Sequence, residues 1–366
     1  MPQMRRTALT LALALALPTG VRALERPADL GQGDEDALHT AYLAEVASTL
    51  AGSADAFERM VAAALLGDPG VAARARQALA SDDGAALRDA LVADALQDAG
   101  DDPLVWWSAV LDCPAATSAV CKRDLALARL RAIEPDNVFV WLVDLPALAQ
   151  QAESVDAALA RAAAATRFDV HAVERVLRLV AAFARVEPDA AWLAAMAHDP
   201  AATATPAAAS AFAAVGIALG DALPPISPLM QQCRQDAIAR VPARGDTCRT
   251  IARTLVDASD SMLGAMLGTG LALELARTAD ERSAAVAARR DLLWLAAASG
   301  ELESALATDG ERVADHLARW NAPGATELSA LRSLLIENGL PLQAPDAWTP
   351  PGRWAPDGGP VPIRTR

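Results

Sequence analysis

Lysine is all but missing from this chain. Lys122 is the one lysine in 366 residues, so arginine carries nearly all the positive charge. That scarcity closes off several chemistries. A phosphate-cradling Gly-Lys-Ser/Thr loop needs a lysine after glycines, and Lys122 lies in VCKRD with none. The Ser-x-x-Lys nucleophile pattern fails because Ser118 precedes Lys122 by four residues. Schiff-base chemistry would rest on Lys122 alone. Histidine is nearly as scarce: His39, His171, His198 and His316. No His-Glu-x-x-His zinc pattern and no Glu-x-x-His pair of a di-metal bundle occurs. Asp36 with His39, and His171 with Glu174, share helix faces and read as surface pairs. There is no Gly-x-Ser-x-Gly elbow and no Gly-x-Gly-x-x-Gly turn. The sequence therefore marks no catalytic residue, no metal site and no cofactor.

Strand-favouring aromatics are also few. One tyrosine and five phenylalanines stand against abundant alanine, the best helix former. The expected class is all-α. Long apolar runs are absent: Thr7–Leu17 is the one early run, far short of the roughly 18 residues a membrane span needs. Arg5 and Arg6 precede it, Pro18 and Gly20 break it, and Val21-Arg22-Ala23 offers small residues around a cut. That is the pattern of an export leader over residues 1–23, implying a periplasmic or secreted protein with no membrane span after cleavage. Cleavage after Ala23 removes three arginines and no acid, taking the net charge from −14 to −17. Such a charge disfavours nucleic acid as a partner.

Cysteine is limited to Cys113, Cys121, Cys233 and Cys248. An even count in an exported protein points to disulfides. Four cysteines allow three pairings, and the sequence-local one, Cys113–Cys121 with Cys233–Cys248, is expected. The spacing is not that of a zinc finger, and no histidine accompanies it.

What is present is a repeated helix break. In RAIEPDNVFVWL (131–142), Pro135 stops one helix, and Asp136 and Asn137 cap the next with no loop between. Such a turn folds helices back as antiparallel neighbours. Asp68-Pro69, Asp102-Pro103 and Asp136-Asn137 recur at steps of 34 residues, as do Trp107 and Trp141. A fixed period of this size marks stacked helical hairpins. Over roughly residues 67–185 the chain resembles the tetratricopeptide repeat, with Trp107 early in a first helix, Leu127 and Leu130 on the apolar face of a second, and Pro135 near the unit's end. Leu111, Arg123 and Pro114 depart from that family's small or aromatic residues. The resemblance implies an α-solenoid with a concave binding groove.

The period fades beyond residue 200. DPAATATPA (199–207) reads as a boundary between a helical-repeat region, 24–200, and a C-terminal helical region, 201–343. Helices are expected over about 206–220, 226–240, 246–258, 260–278, 281–299, 301–320 and 326–338. The glycine-rich SMLGAMLGTG (261–270) reads as a tightly packed central helix. A proline-rich extended tail, 344–366, is expected to dock back near Trp320 and Leu334 through Trp348 and Trp354.

The functional expectation is a scaffold that binds another envelope protein or a peptide. Trp106, Trp107, Trp141, Asp144, Arg175 and Arg178 are its candidate groove residues, by position on first helices. Trp106 and Trp107 point about 100° apart, so one of them should face a groove. The alternative is a helical envelope hydrolase of glycans or peptides working with carboxylates.

Overall fold

A computed structural model describes residues 32–79, 83–111, 120–148, 151–196, 205–220, 227–306 and 316–350. The leader over 1–23, Cys113, His198, most of the 199–207 segment and the tail from residue 351, with Trp354, lie outside the described residues. Among the described residues the chain is all-helical, and its only β contacts are isolated bridges. No helix among them is long and apolar enough to cross a membrane.

The helix starts are written in side chains. Helices α1 (Gln32–Ala51), α2 (Ala56–Leu65), α3 (Pro69–Ala78), α4 (Gly84–Asp98) and α5 (Pro103–Leu111) come first. Asp55, Asp68 and Asp83 each cap the helix that follows by accepting from two backbone N–H groups. Asp102 accepts from Leu104 N at 3.0 Å at the start of α5. After α6 (Arg123–Ile133), Asn137 caps α7 (Val138–Leu142) through Phe139 N. A cap of this kind contributes about 1 kcal/mol. The periodic starts expected from the sequence are thus real helix caps at 68, 102 and 137.

The caps also correct the register. Trp106 and Trp141 each stand four residues after a cap, and each donates its Nε1 to a carbonyl six residues back, Gly100 O and Pro135 O, both at 3.0 Å. By position after the cap, Trp106, not Trp107, corresponds to Trp141. A 34-residue step from Trp141 lands on the other member of the adjacent pair because the caps Asp102 and Asn137 are 35 residues apart.

The chain continues with α8 (Leu145–Leu148), α9 (Ala152–Ala164), α10 (Ala172–Phe183), α11 (Ala190–Met196) and α12 (Pro206–Gly220). Packing is mostly between near neighbours in sequence: α1 on α2 and α3, α2 on α4, α5 on α6, α7 on α9. One contact is not. The α1 residue Tyr42 stacks on Trp192 of α11 at 4.4 Å between ring centroids and donates to Ser210 Oγ of α12 at 3.0 Å. The later helices therefore fold back onto the first, and a single apolar core runs from Tyr42 to Leu275.

The second half holds α13 (Ser227–Gln232), α14 (Gln235–Arg240), α15 (Arg244–Asp257), α16 (Met262–Leu275), α17 (Ala279–Leu306) and α18 (Glu327–Glu337). The helix expected over 226–240 is broken at Cys233 and Arg234, where Cys233 is tied to Cys248 by a disulfide. Cys121 is also disulfide-bonded. The break expected near residue 300 does not occur: α17 runs through Gly300, since one glycine costs a helix only about 1 kcal/mol. The glycine-rich helix α16 lies against α15 so closely that a Cβ on Gly268 would stand 2.7 Å from Val256 N.

The described end of the chain lies on α17. Trp294 Nε1 donates to Pro341 O at 2.7 Å, and Trp348 packs edge-on against Trp294 at 5.6 Å. Arg290 donates to the carbonyls of Ala344, Pro345, Asp346 and Trp348. The receiving surface is thus Arg290, Asp291 and Trp294 rather than Trp320 and Leu334. An arginine with several donors suits a proline-rich segment whose carbonyls have no helical partner.

Candidate binding cleft

The compressed turn at 134–137 lies against a non-helical segment, residues 165–171. Val138 N donates to Arg167 O at 2.8 Å, and Thr166 N and Arg167 N both donate to Asp136 O. On its other side the segment meets the turn before α16: Phe168 N donates to Ala258 O and Asp260 N to Phe168 O. Asn137 is fully buried and satisfied twice over. Its Nδ2 donates to Asp169 O at 2.8 Å, and its Oδ1 accepts from Phe139 N and Asp169 N.

This backbone framework brings charge inside. Glu134 is buried, and its carboxylate accepts from Trp107 Nε1 at 3.1 Å and Arg167 Nη2 at 2.7 Å, with His171 Nε2 at 2.9 Å. Arg167 also holds Asp136 and Asp169. His171 Nδ1 faces Asp169 at 3.5 Å and Glu174 at 3.4 Å. Burial opposes the charge on each partner. On Glu134 it is overcome by the hydrogen bonds and charges of His171 and Arg167, which hold its pKa at about 2. On His171 it is overcome by the hydrogen bonds to Glu134 and Glu174 and the charges of Asp169 and Glu134, which lift its pKa to about 10. The pair is therefore carboxylate and imidazolium across neutral pH.

His171 also has a left-handed backbone, φ 54°. That conformation strains a residue with a Cβ by about 1–3 kcal/mol, and it persists only where the surroundings enforce it. Asp169 Oδ1 enforces it here by accepting from His171 N at 2.6 Å. The reading of His171 and Glu174 as a surface pair is corrected: the imidazole is buried at the start of α10, and only Glu174 is exposed.

Above this cluster opens a cleft of about 400 Å³. One wall is Asp169, His171, Glu174 and Arg178, another is Asp260 and Ser261, and the third is Trp320, Asn321 and Thr326. Arg178 is committed to Asp102 at 2.7 Å and to Asp55 at 3.0 Å, tying α10 to the starts of α2 and α5. Asp260 has its pKa raised, first by burial and then by the charge of Asp169. A second hollow of similar size between α1 and α3 holds only Glu45 and Arg74 as charged groups and has no such clustering. Among the described residues, no group of three or more His, Cys, Asp or Glu side chains is arranged to hold a metal ion.

The residues singled out by position scatter into three places. Arg178 lines the cleft, and Arg175 lies on the same helix, α10. Trp107 is inside the Glu134 cluster and stacks on Phe139 at 4.6 Å. Trp106 is buried as well, so the expectation that one of the adjacent pair faces a groove is corrected: both directions from this helix are filled. Trp141 and Asp144 lie among arginines on a different surface. Glu134 and Arg167 were missed because a glutamate before a proline reads as a helix stop, and nothing local shows that it is buried.

Compared with protein-family models, curated proteins and solved structures, the chain gives no match.

Proposed function

We propose that this protein is an exported, tetratricopeptide-like helical scaffold that holds a protein or peptide partner in the cell envelope. The carrying observation is the state of charge around the cleft. His171 at about pKa 10 and Glu134 at about 2 have no proton to exchange near neutral pH, and Arg178 is engaged by two aspartates. Such a cleft offers a locked ion pair, an indole and helix-start polar groups, an arrangement suited to recognition. The acids Asp169, Glu174 and Asp260 favour a neutral or basic group from the partner. The Cys233–Cys248 bond fits an oxidising compartment.

The test is capture from envelope extract with the mature protein as bait, beside an Asp260→Arg variant. The expected result is a partner retained by the native cleft and lost from the variant. Equal recovery by both would overturn the cleft as the binding site. A carboxylate hydrolase is the second reading, favoured by Asp260 and its neighbour Asp169. Hydrolysis of envelope glycan or peptide that vanishes in Asp260→Asn, with no partner captured, would select it.

A further inference from the structure

The two tryptophan units provide an internal comparison. Trp106 is buried and has one guanidinium over its ring, Arg129 at 6.0 Å. Trp141 is half-buried and has two, Arg131 at 5.2 Å and Arg161 at 5.0 Å. A third arginine joins through Asp144, which takes Arg123 at 3.1 Å and stands 3.9 Å from Arg131. Arg131 also donates to Val140 O at 3.2 Å. Two of the three cations, Arg123 and Arg131, therefore share one anion. Arg161 is exposed and has no hydrogen-bond or ion-pair partner among the described residues.

Trp106 shows that one guanidinium at the ring is enough for packing in this fold. The extra cations around Trp141 add repulsion: the proton affinity of Arg131 is lowered first by burial, with Asp144 working against the shift and Arg161 and Arg123 adding to it. A concentration of like charge on an acidic chain is costly unless something negative relieves it.

We infer that Trp141, with Arg123, Arg131 and Arg161, forms a binding site for an acidic peptide segment of a partner. The inference rests on the scaffold reading and adds a second surface to it. A carboxylate fits the fork of a guanidinium, and two forks already stacked on an indole lose little freedom on binding it. The net charge of −14 does not forbid this, because salt screens charges beyond about 8 Å and the local arginines dominate at contact. An anionic membrane is a poorer fit. Each basic residue adds about 1 kcal/mol at such a surface, and three with an aspartate among them would not hold an acidic body there.

The experiment titrates a fluorophore-labelled glutamate-rich peptide into the full chain and follows anisotropy. The same peptide with glutamine for glutamate, and phosphatidylglycerol vesicles, are run beside it. The acidic peptide should bind about tenfold tighter than its glutamine form, the worth of one charge-assisted contact. Arg161→Glu should erase that preference with an unchanged helical spectrum, since Arg161 holds nothing in the fold but the face of an indole. No preference, or a preference that survives Arg161→Glu, would overturn the inference. Vesicle binding that depends on Arg161 without peptide binding would overturn it in favour of lipid. Capture of an envelope partner by both forms, with no peptide preference, would sink this site and leave the scaffold reading standing. An Arg161-dependent peptide preference with no capture by either form would do the reverse.

Discussion

His171 Nε2 stands 2.9 Å from Glu134 Oε1, and both side chains are more than nine-tenths buried. They come from different helical units, so this contact joins the end of α6 to the start of α10. The pH dependence follows from the two pKa directions. His171 is raised from 6.5 to about 10, so its stabilisation is full below pH 6.5 and lost as pH rises through about 10. Glu134 is lowered from 4.5 to about 2, so its stabilisation is full above pH 4.5 and lost as pH falls through about 2. Both act fully between pH 4.5 and 6.5. Glu134→Gln should cost about 3–5 kcal/mol in that window, because it leaves a buried imidazolium unpaired. Urea midpoints across pH should show the gap to wild type narrowing toward both ends. A gap that is flat with pH would count against a charged pair.

Gly268 is the tightest point between α15 and α16. A Cβ there would meet Val256 N at 2.7 Å and the Leu255 backbone carbonyl carbon at 2.8 Å, and backbone cannot step aside as a side chain can. Gly268→Ala should lose about 1–3 kcal/mol. Gly270→Ala is the control, since its Cβ would meet only the Arg289 Nη1 tip at 3.2 Å. Equal effects in thermal melts of the two variants would rule out close backbone approach as the reason for glycine at 268.

Reduction should act on stability and leave the helices in place. The Cys233–Cys248 bond spans 15 residues and lies inside the core. Opening it should remove about 3 kcal/mol by freeing the unfolded chain. The melting temperature should fall with reductant while the helical spectrum at 25 °C stays the same. A reduced protein that melts at the native temperature would show that the bond contributes nothing.

The segment after α18 hangs largely on one arginine. Arg290→Ala removes donors to four carbonyls between Ala344 and Trp348. Chain cut after Gln343 removes the same contacts and the Trp294–Trp348 pair. Both should lower the melting temperature, by about 1–2 kcal/mol of stability for the single substitution. Independent confirmation comes from fluorescence: emission should shift to the red in Arg290→Ala as Trp348 and Trp294 part. Unchanged emission and melting would mean that the segment is not held this way.

Much of the frame was readable because it rests on local chemistry. Asp68, Asp102 and Asn137 are short polar side chains before apolar runs, and a cap needs only its own next three residues. The glycines of 261–270 announced close packing for a similar reason. The Glu134–His171 contact was not readable, because it depends on where two distant turns meet. Trp106 and Trp107 failed differently. The angle between them was right, but an array that folds α10–α12 back toward α1 and α2 leaves no open side there. Period counting also slipped by one residue between Trp106 and Trp141, which only the caps reveal.

Arg167 and Phe168 are consecutive, yet their backbones are bonded to opposite neighbours, Val138 and Asp136 on one side and Ala258 and Asp260 on the other. Mechanical load passing from α16 to α7 has a direct route through that single peptide link. Helices packed by apolar faces slide under shear, whereas hydrogen bonds along a short strand resist it together. Load between those two helices should therefore leave the spacing between Glu134 and Asp260 unchanged.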